Sequence, residues 1–281
     1  LSQGDRAVFV DCKGDKDDAK YLGDLAEQMG KRAICWPETP MDLWRGDRFT
    51  VVGIVKTILP RHPYWENLGG WVLDAITAEA GPWRSTQELL DRLHSPRSVV
   101  SDSKTLSALL QRTGSIPAHM AVYQVVAAKL APIADLIDGG PNSWALDDED
   151  TDLIIVSADI GADVRLAACL SGLIADLNAY RIARRAYGAR PMMVAFDGIQ
   201  VLLGLSQPPD MAWLAEQCRS QRIGLLYATQ SLAGLGDSAD RILGAGMDVL
   251  VGRLDEPDRI VQLAGTRRIA EQGWQKSSGA F

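Results

Sequence analysis

Short runs of apolar residues alternate with amphipathic stretches along much of the chain. The apolar runs predict strands that are buried on both faces, at residues 7–10, 33–36, 153–156, 192–196, 223–228 and 249–251. Apolar residues at helical spacing predict helices at residues 17–29, 163–187, 211–221, 238–243 and 257–264. Strands that alternate with helices in this way predict an α/β fold, with a mainly parallel sheet covered by helices on both faces.

The middle of the chain has a different pattern. Between residues 60 and 150 no segment has a convincing strand pattern, and helices are predicted at residues 65–80, 85–93, 101–112 and 117–137. Ser85 and Glu88 have the spacing of a capping box at a helix start. We therefore predict an all-α insertion domain at residues 60–150, between the two parts of the α/β domain at residues 1–59 and 151–281.

Composition and charge narrow the classes of protein that fit. The net charge of −7 argues against a protein that binds nucleic acid through a wholly basic surface, although a ring with a basic channel stays possible. The four cysteines have no C-x-x-C spacing, which favours reduced thiols in a cytosolic protein. No run of 18 apolar residues occurs, so we expect no membrane span. Because the chain reaches a strand within a few residues of Leu1, we expect it to be a fragment.

Polar residues follow two of the predicted strands. Asp197 ends the run at 192–196, where a carboxylate can hold the Mg²⁺ of a nucleotide or can simply open a turn. Thr229 and Gln230 follow the run at 223–228, and a glutamine there can orient water or only hydrogen-bond within a turn. Arg219 precedes that strand and could act as an arginine finger across a subunit boundary, or form a surface salt bridge.

Four segments together resemble a known family. Residues 8–15 (VFVDCKGD) are similar to a strand ending in Asp-Pro-Lys-Gly-Glu, with Cys12 in place of the proline. Residues 192–203 (MMVAFDGIQVLL) resemble a Walker B strand, and residues 218–232 (CRSQRIGLLYATQSL) resemble the motif III region. The helical segment occupies the position of the family's all-α domain. The chain thus resembles the coupling ATPases of type IV secretion and conjugation, relatives of the HerA and FtsK translocases.

The resemblance implies a RecA-like motor domain that uses ATP and Mg²⁺. It assigns Mg²⁺ binding to Asp197, γ-phosphate sensing to Gln230 and the arginine finger to Arg219, and these three are the implied catalytic residues. It also places the side chains of Asp11, Lys13, Asp15 and Thr229 near the nucleotide.

The resemblance further implies a homohexamer at the cytoplasmic face of the bacterial inner membrane, attached to the membrane only through regions outside this chain. The implied partners are DNA, expected to be single-stranded, a relaxase or secreted protein substrate, and the secretion channel.

Two departures from the family pattern affect the expected activity. No G-x-x-x-x-G-K-[ST] phosphate loop occurs in the 281 residues, and the family carries that loop just upstream of the strand at residue 7. Gly198 also stands where the family usually has a glutamate that activates water, so we expect slow hydrolysis and a gain on Gly198→Glu. Two alternatives follow: a non-hydrolysing RecA-like scaffold that recruits substrate through its all-α domain, or a related FtsK-like DNA or protein translocase.

Overall fold

A parallel five-stranded sheet forms the centre of the protein. The computed structural model describes residues 5–60, 62–146, 148, 150–159, 166, 169–174, 177, 190–205, 208–218, 223–246 and 248. The strands are β1 (Arg6–Asp11), β2 (Ala33–Trp36), β3 (Arg112–Thr113), β4 (Ile116–Pro117), β5 (Leu153–Ser157), β6 (Met192–Asp197) and β7 (Ile223–Ala228). The sheet has the order β2-β5-β1-β6-β7, and all four of its pairings are parallel.

Ten described α-helices accompany the strands. They are α1 (Lys16–Gln28), α2 (Arg48–Ile58), α3 (Pro63–Ala78), α4 (Thr86–His94), α5 (Ser103–Leu110), α6 (Ala118–Leu130), α7 (Ala134–Ile137), α8 (Ile199–Leu203), α9 (Met211–Cys218) and α10 (Ala239–Gly244). Within the part of the chain that the structure describes, 3₁₀ segments lie at Pro96–Ser98, Ala131–Ile133 and Leu232–Ser238. Side-chain caps fix several helix starts, since Asp15, Asp47, Ser85 and Asp102 each accept a hydrogen bond from the first turn of their helix.

The capping box predicted at Ser85 forms only in part. Ser85 Oγ accepts a hydrogen bond from the Glu88 backbone nitrogen at 3.1 Å, as predicted. The Glu88 carboxylate accepts from the backbone nitrogen of Arg84 at 2.7 Å, one residue before the expected donor. It also pairs with Arg92 one turn further along α4, so the carboxylate joins the start of this helix to its last turn.

The segment at residues 60–150 is mostly helical and differs from the prediction in two details. β3 and β4 form a short antiparallel hairpin, so the description of this segment as all-α needs a correction. The helix predicted at residues 117–137 is interrupted after Leu130 by a 3₁₀ turn containing Pro132. Proline has no backbone N–H to donate, and its ring crowds the preceding turn, so the α-helix ends there.

The helical segment and the sheet share one hydrophobic core. The largest cluster of buried residues contains Val10 and Val194 of the sheet together with Trp44 of the turn before α2, Leu73 of α3 and Val126 of α6. Residues 1–247 accordingly form one compact unit. The domain boundaries predicted from the sequence therefore stay a prediction. A smaller cluster on the other face of the sheet joins Ala26 of α1 to Leu153 and Ile155 of β5.

The segment Ala118–Ile137 is long and apolar enough to cross a membrane by length and composition alone. In the folded chain it runs through α6, the 3₁₀ turn and α7. Its residues Val122, Val126, Leu130 and Ile133 are buried in the main core. α6 also contacts α3, α4 and α5, so its buried apolar residues belong to the packing of the helical segment.

Candidate functional site

The carboxyl ends of the parallel strands bring most of the predicted site residues to one edge of the sheet. Asp11, the last residue of β1, is in register with Ser157 of β5 on one side and with Asp197 of β6 on the other. Asp197 is in turn in register with Ala228, so Thr229 follows directly at the same edge. Ligands of open parallel sheets bind at this edge. Asp11, Lys13, Asp15, Asp197 and Thr229 are therefore brought together as the sequence predicts, whereas their roles toward a nucleotide stay predictions.

Asp11 is a buried carboxylate that organises the turn after β1. It is 1% exposed. One of its oxygens accepts the backbone N–H of Lys13 at 2.8 Å, and the other accepts the backbone N–H of Asp15 and the hydroxyl of Ser157. Because both oxygens are engaged inside the protein, Asp11 supports the site by holding the turn in place.

Asp15 ends this turn and begins α1. Its carboxylate accepts hydrogen bonds from the backbone nitrogens of Asp17 at 2.9 Å and Asp18 at 3.3 Å. A carboxylate at this position also suits the positive end of the helix dipole. Asp15 therefore has a clear local role as the N-cap of α1, in addition to its position near the candidate site.

Lys13 and Asp197 form an ion pair across the edge of the sheet. The distance from Lys13 Nζ to Asp197 Oδ2 is 3.1 Å, and the two side chains are 41% and 33% exposed. The lysine stem passes over Gly198. A Cβ atom at Gly198 would lie only 3.0 Å from Lys13 Cε and 3.2 Å from Cγ. The ammonium group is thus the nearest described counter-charge to the carboxylate that was predicted to hold Mg²⁺.

Gly198 has a left-handed backbone, with φ +73°, and it precedes the first turn of α8. A residue with a side chain rarely adopts this conformation. The expected gain in hydrolysis on Gly198→Glu stays a prediction, and the structure adds a cost to it, since a glutamate here would strain the backbone and press against Lys13. Position 198 therefore lacks an activating carboxylate, and its backbone conformation also disfavours a glutamate there.

Cys12 lies between Asp11 and Lys13, but its thiol does not contribute a reactive group to the site. Burial raises the pKa of its thiol to about 12, and the nearby carboxylates of Asp11 and Asp197 add to the rise. Burial and negative neighbours both disfavour a thiolate. Cys12 is therefore a neutral, packed side chain near physiological pH.

The end of β7 contributes a second turn to the same edge. Thr229 Oγ1 donates to the carbonyl of Ser231 at 2.9 Å, and the amide nitrogen of Gly234 lies 3.2 Å from Ser231 Oγ. Gln230 is exposed at this turn, where a ligand has access to it. Arg219 lies outside the described residues.

Sequence reasoning missed Gln200, which lies between the two turns. Its side-chain oxygen is buried and has no hydrogen-bond partner within the described part of the chain. A Cβ at Gly234 would lie 2.8 Å from Gln200 Cβ and 3.0 Å from Thr229 Oγ1, so the turn after β7 packs directly on this side chain. The only sequence signal was a polar residue three positions after Asp197 in an otherwise apolar run.

The donor set fits a metal–nucleotide complex better than a bare metal ion. Among the described residues, no group of three or more His, Cys, Asp or Glu side chains is arranged to hold a metal. Mg²⁺ is commonly held through one or two carboxylates together with substrate phosphates. Asp197 offers one accessible carboxylate, and Lys13 offers a positive charge 3.1 Å from it. Thr229 follows Ala228, the residue in register with Asp197, and offers a hydroxyl at the same edge.

Comparison with known proteins gives structural neighbours but no sequence relatives. No protein-family model and no curated protein matches the sequence. VirB4 of Thermoanaerobacter pseudethanolicus matches with a TM-score of 0.61 at 13% identity, over 93% of this chain and 74% of that one. The bacterial conjugative coupling protein TrwBdeltaN70, in its trigonal form with sulphate, matches with a TM-score of 0.54 at 14% identity, over 86% of this chain and 61% of that one.

The chain has the RecA-like fold of VirB4 and TrwB. The fold class predicted from the sequence is therefore confirmed, with five parallel strands flanked by helices. At these identities the RecA-like similarity shows the fold alone, and the chain spans 61% of TrwBdeltaN70. TrwB in complex with the non-hydrolysable ATP analogue ADPNP also matches this RecA-like chain, with a TM-score of 0.50 at 12% identity.

Proposed function

We propose that this chain is the motor module of a type IV coupling protein, and that it binds ATP with Mg²⁺ at the carboxyl edge of its sheet. One observation carries the proposal: Lys13, Asp197 and Thr229 converge at the ligand-binding edge of a RecA-like sheet. A structural neighbour with this fold, TrwB, was solved with an ATP analogue, which supports a nucleotide as the ligand class.

Each residue of the edge would have a distinct task in this function. Asp197 would hold the Mg²⁺ that accompanies ATP, and when bound this ion offsets charge on the phosphate oxygens. Lys13 would add a positive charge beside the phosphates, while Asp11 keeps the lysine turn in position through its contacts with backbone N–H groups. Gln230, exposed after β7, would orient the attacking water.

The wider proposal concerns assembly and substrates. We infer that six copies form a ring at the cytoplasmic face of the bacterial inner membrane, with membrane attachment through regions outside this chain. Arg219 would reach the nucleotide of a neighbouring subunit. The ring would pass single-stranded DNA, a relaxase or a secreted protein to the secretion channel. The similarity in fold to a conjugative coupling protein and to VirB4 supports this proposal.

A second candidate function is a RecA-like scaffold that binds nucleotide without turning it over. The conformation of Gly198 favours it, because the left-handed backbone and the overlying Lys13 stem oppose an activating side chain at that position. Steady-state phosphate release with and without single-stranded DNA separates the two functions. The motor predicts release that DNA stimulates, whereas the scaffold predicts none under either condition.

Hydrogen–deuterium exchange tests the nucleotide site itself. Since the 281 residues contain no phosphate loop, we expect weak binding, so the experiment uses millimolar Mg²⁺ and ADPNP. The proposal predicts saturable protection at residues 11–15, 197–200 and 229–234. Asp197→Asn should reduce that protection, whereas the matched change Asp18→Asn on the exposed face of α1 should not. Protection confined to other regions, or none at any nucleotide concentration, would reject the proposed site.

A further inference from the structure

We propose that the Lys13 ammonium group competes with the metal ion for the carboxylate of Asp197. When a metal–nucleotide complex binds, this ammonium group moves to the nucleotide phosphates. The inference deepens the proposed function and rests on it for the second half of this exchange. Its first half is the competition between an ammonium group and a divalent cation for one carboxylate, and it takes from the proposed function only that Asp197 accepts a divalent cation.

The Lys13 ammonium group and a divalent metal ion would both bind the carboxylate of Asp197. Lys13 Nζ lies 3.1 Å from Asp197 Oδ2, which is the oxygen that a metal ligated by this side of the carboxylate would need. Mg²⁺ and Ca²⁺ bind carboxylate oxygens at much shorter distances and carry twice the charge. Because like charges repel at such short range, the ammonium group opposes the binding of a metal ion to this oxygen, and a bound metal ion opposes the ammonium group.

The backbone of Lys13 is anchored by hydrogen bonds, whereas its side chain is partly exposed and is held by a single ion pair. Asp11 accepts the backbone N–H of Lys13 at 2.8 Å and also that of Asp15, which fixes both ends of the turn. The Lys13 side chain is 41% exposed, and exposed ion pairs contribute little to stability. The lysine can therefore leave Asp197 without disturbing the turn that carries it.

Gly198 determines the path of this side chain. With no Cβ at position 198, the lysine stem lies across the backbone there, within contact distance of where a side chain would start. This path holds the ammonium group beside Asp197 in the absence of ligand. A triphosphate at the same edge would offer a higher density of negative charge, so the lysine has a new partner as soon as Asp197 receives a metal ion.

The competition is tested by Mn²⁺ binding without nucleotide, followed by electron paramagnetic resonance at low ionic strength. Lys13→Gln should tighten binding at Asp197 by roughly tenfold, since removing one positive charge a few ångströms away changes the affinity by about this factor. Lys13→Gln/Asp197→Asn should lose that gain, which separates this position from other acidic sites on the chain.

The matched control is Lys20→Gln. Lys20 is exposed on α1, so the substitution makes the same change in net charge away from Asp197. It should leave Mn²⁺ binding close to that of the wild type. Equal Mn²⁺ affinity in wild type, Lys13→Gln and Lys20→Gln would overturn the proposal, and so would an equal gain in both single variants.

A second measurement follows ADPNP binding in the presence of Mg²⁺ by calorimetry. The exchange predicts that Lys13→Gln, which binds the bare cation more tightly, binds the metal–nucleotide complex several-fold more weakly. Unchanged or tighter ADPNP binding in this variant would overturn the transfer to phosphate. If the wild type itself shows no nucleotide binding at any concentration, the proposed function fails, while the Mn²⁺ experiment still decides whether Lys13 competes for Asp197.

Discussion

Gly234 lets the turn after β7 pack directly on the side chain of Gln200. A Cβ at this position would lie 2.8 Å from Gln200 Cβ and 3.0 Å from Thr229 Oγ1. We predict that Gly234→Ala lowers the free energy of unfolding by about 1–3 kcal/mol, because one of these packed groups must move. Urea denaturation measures the change. In the control Gly244→Ala, where nothing would lie within 4 Å of the new Cβ, stability should stay the same or rise slightly.

A substitution at Gly198 has a different expected effect, because the left-handed backbone matters as much as the room for a side chain. Gly198→Glu should lower the free energy of unfolding by roughly 1–3 kcal/mol, since a residue with a side chain is strained at φ +73°. Gly198→Asn should cost less, because asparagine tolerates the left-handed region better. Thermal denaturation of the two variants provides the measurement, and a glutamate variant as stable as the asparagine variant would contradict the strain argument.

Among the structural elements, the start of α4 depends on a carboxylate that lies far away in sequence. Asp138, which follows α7, accepts from Trp44 Nε1 at 2.7 Å and from the Thr86 backbone nitrogen at 2.8 Å, and also from the Thr86 hydroxyl. We predict that Asp138→Ala costs roughly 2–4 kcal/mol, because it leaves these donors without their acceptor. Asp135→Ala removes the same charge from an exposed position on α7 and should cost far less in the same denaturation experiment.

The elements also show which parts of the fold the sequence could predict. The sheet strands were found because parallel strands buried on both faces are continuous apolar runs. The hairpin of β3 and β4 was missed because two-residue strands are too short to show alternation. In the helix predicted at residues 17–29, Leu25, Ala26 and Met29 all fit the apolar spacing, but only Ala26 packs on β5, whereas Leu25 and Met29 are exposed.

The sequence also predicted only part of the candidate site. Residues that follow parallel strands must lie at one edge, so the sequence could place Asp197 and Thr229 together. The ion pair of Lys13 with Asp197 could not be predicted, because it depends on the path of a side chain over Gly198. The packing of Gln200 under Gly234 likewise depends on the course of a turn that has no sequence pattern.

At the scale of the whole molecule, hydrogen bonds join the end of β2 and the segment that follows it to the end of the helical segment. Trp36 Nε1 donates to the carbonyl of Leu136 at 3.2 Å, and Trp144 Nε1 donates to the carbonyl of Thr39 at 3.1 Å. Since the sheet and the helical segment share one core, we predict that they unfold together in a single transition. Circular dichroism and tryptophan fluorescence should give the same midpoint, and two separated midpoints would favour independent domains.

The alternation of β6 has a practical consequence for chemical footprinting. Met192 is 2% exposed and its neighbour Met193 is 48% exposed, because successive residues of a strand point to opposite faces of the sheet. Mild peroxide should therefore convert Met193 to its sulfoxide well before Met192. Both residues fall in one proteolytic peptide, so mass spectrometry can read the ratio of the two products without a separate standard. That ratio would report directly whether another molecule shields this face of the sheet in the assembled protein.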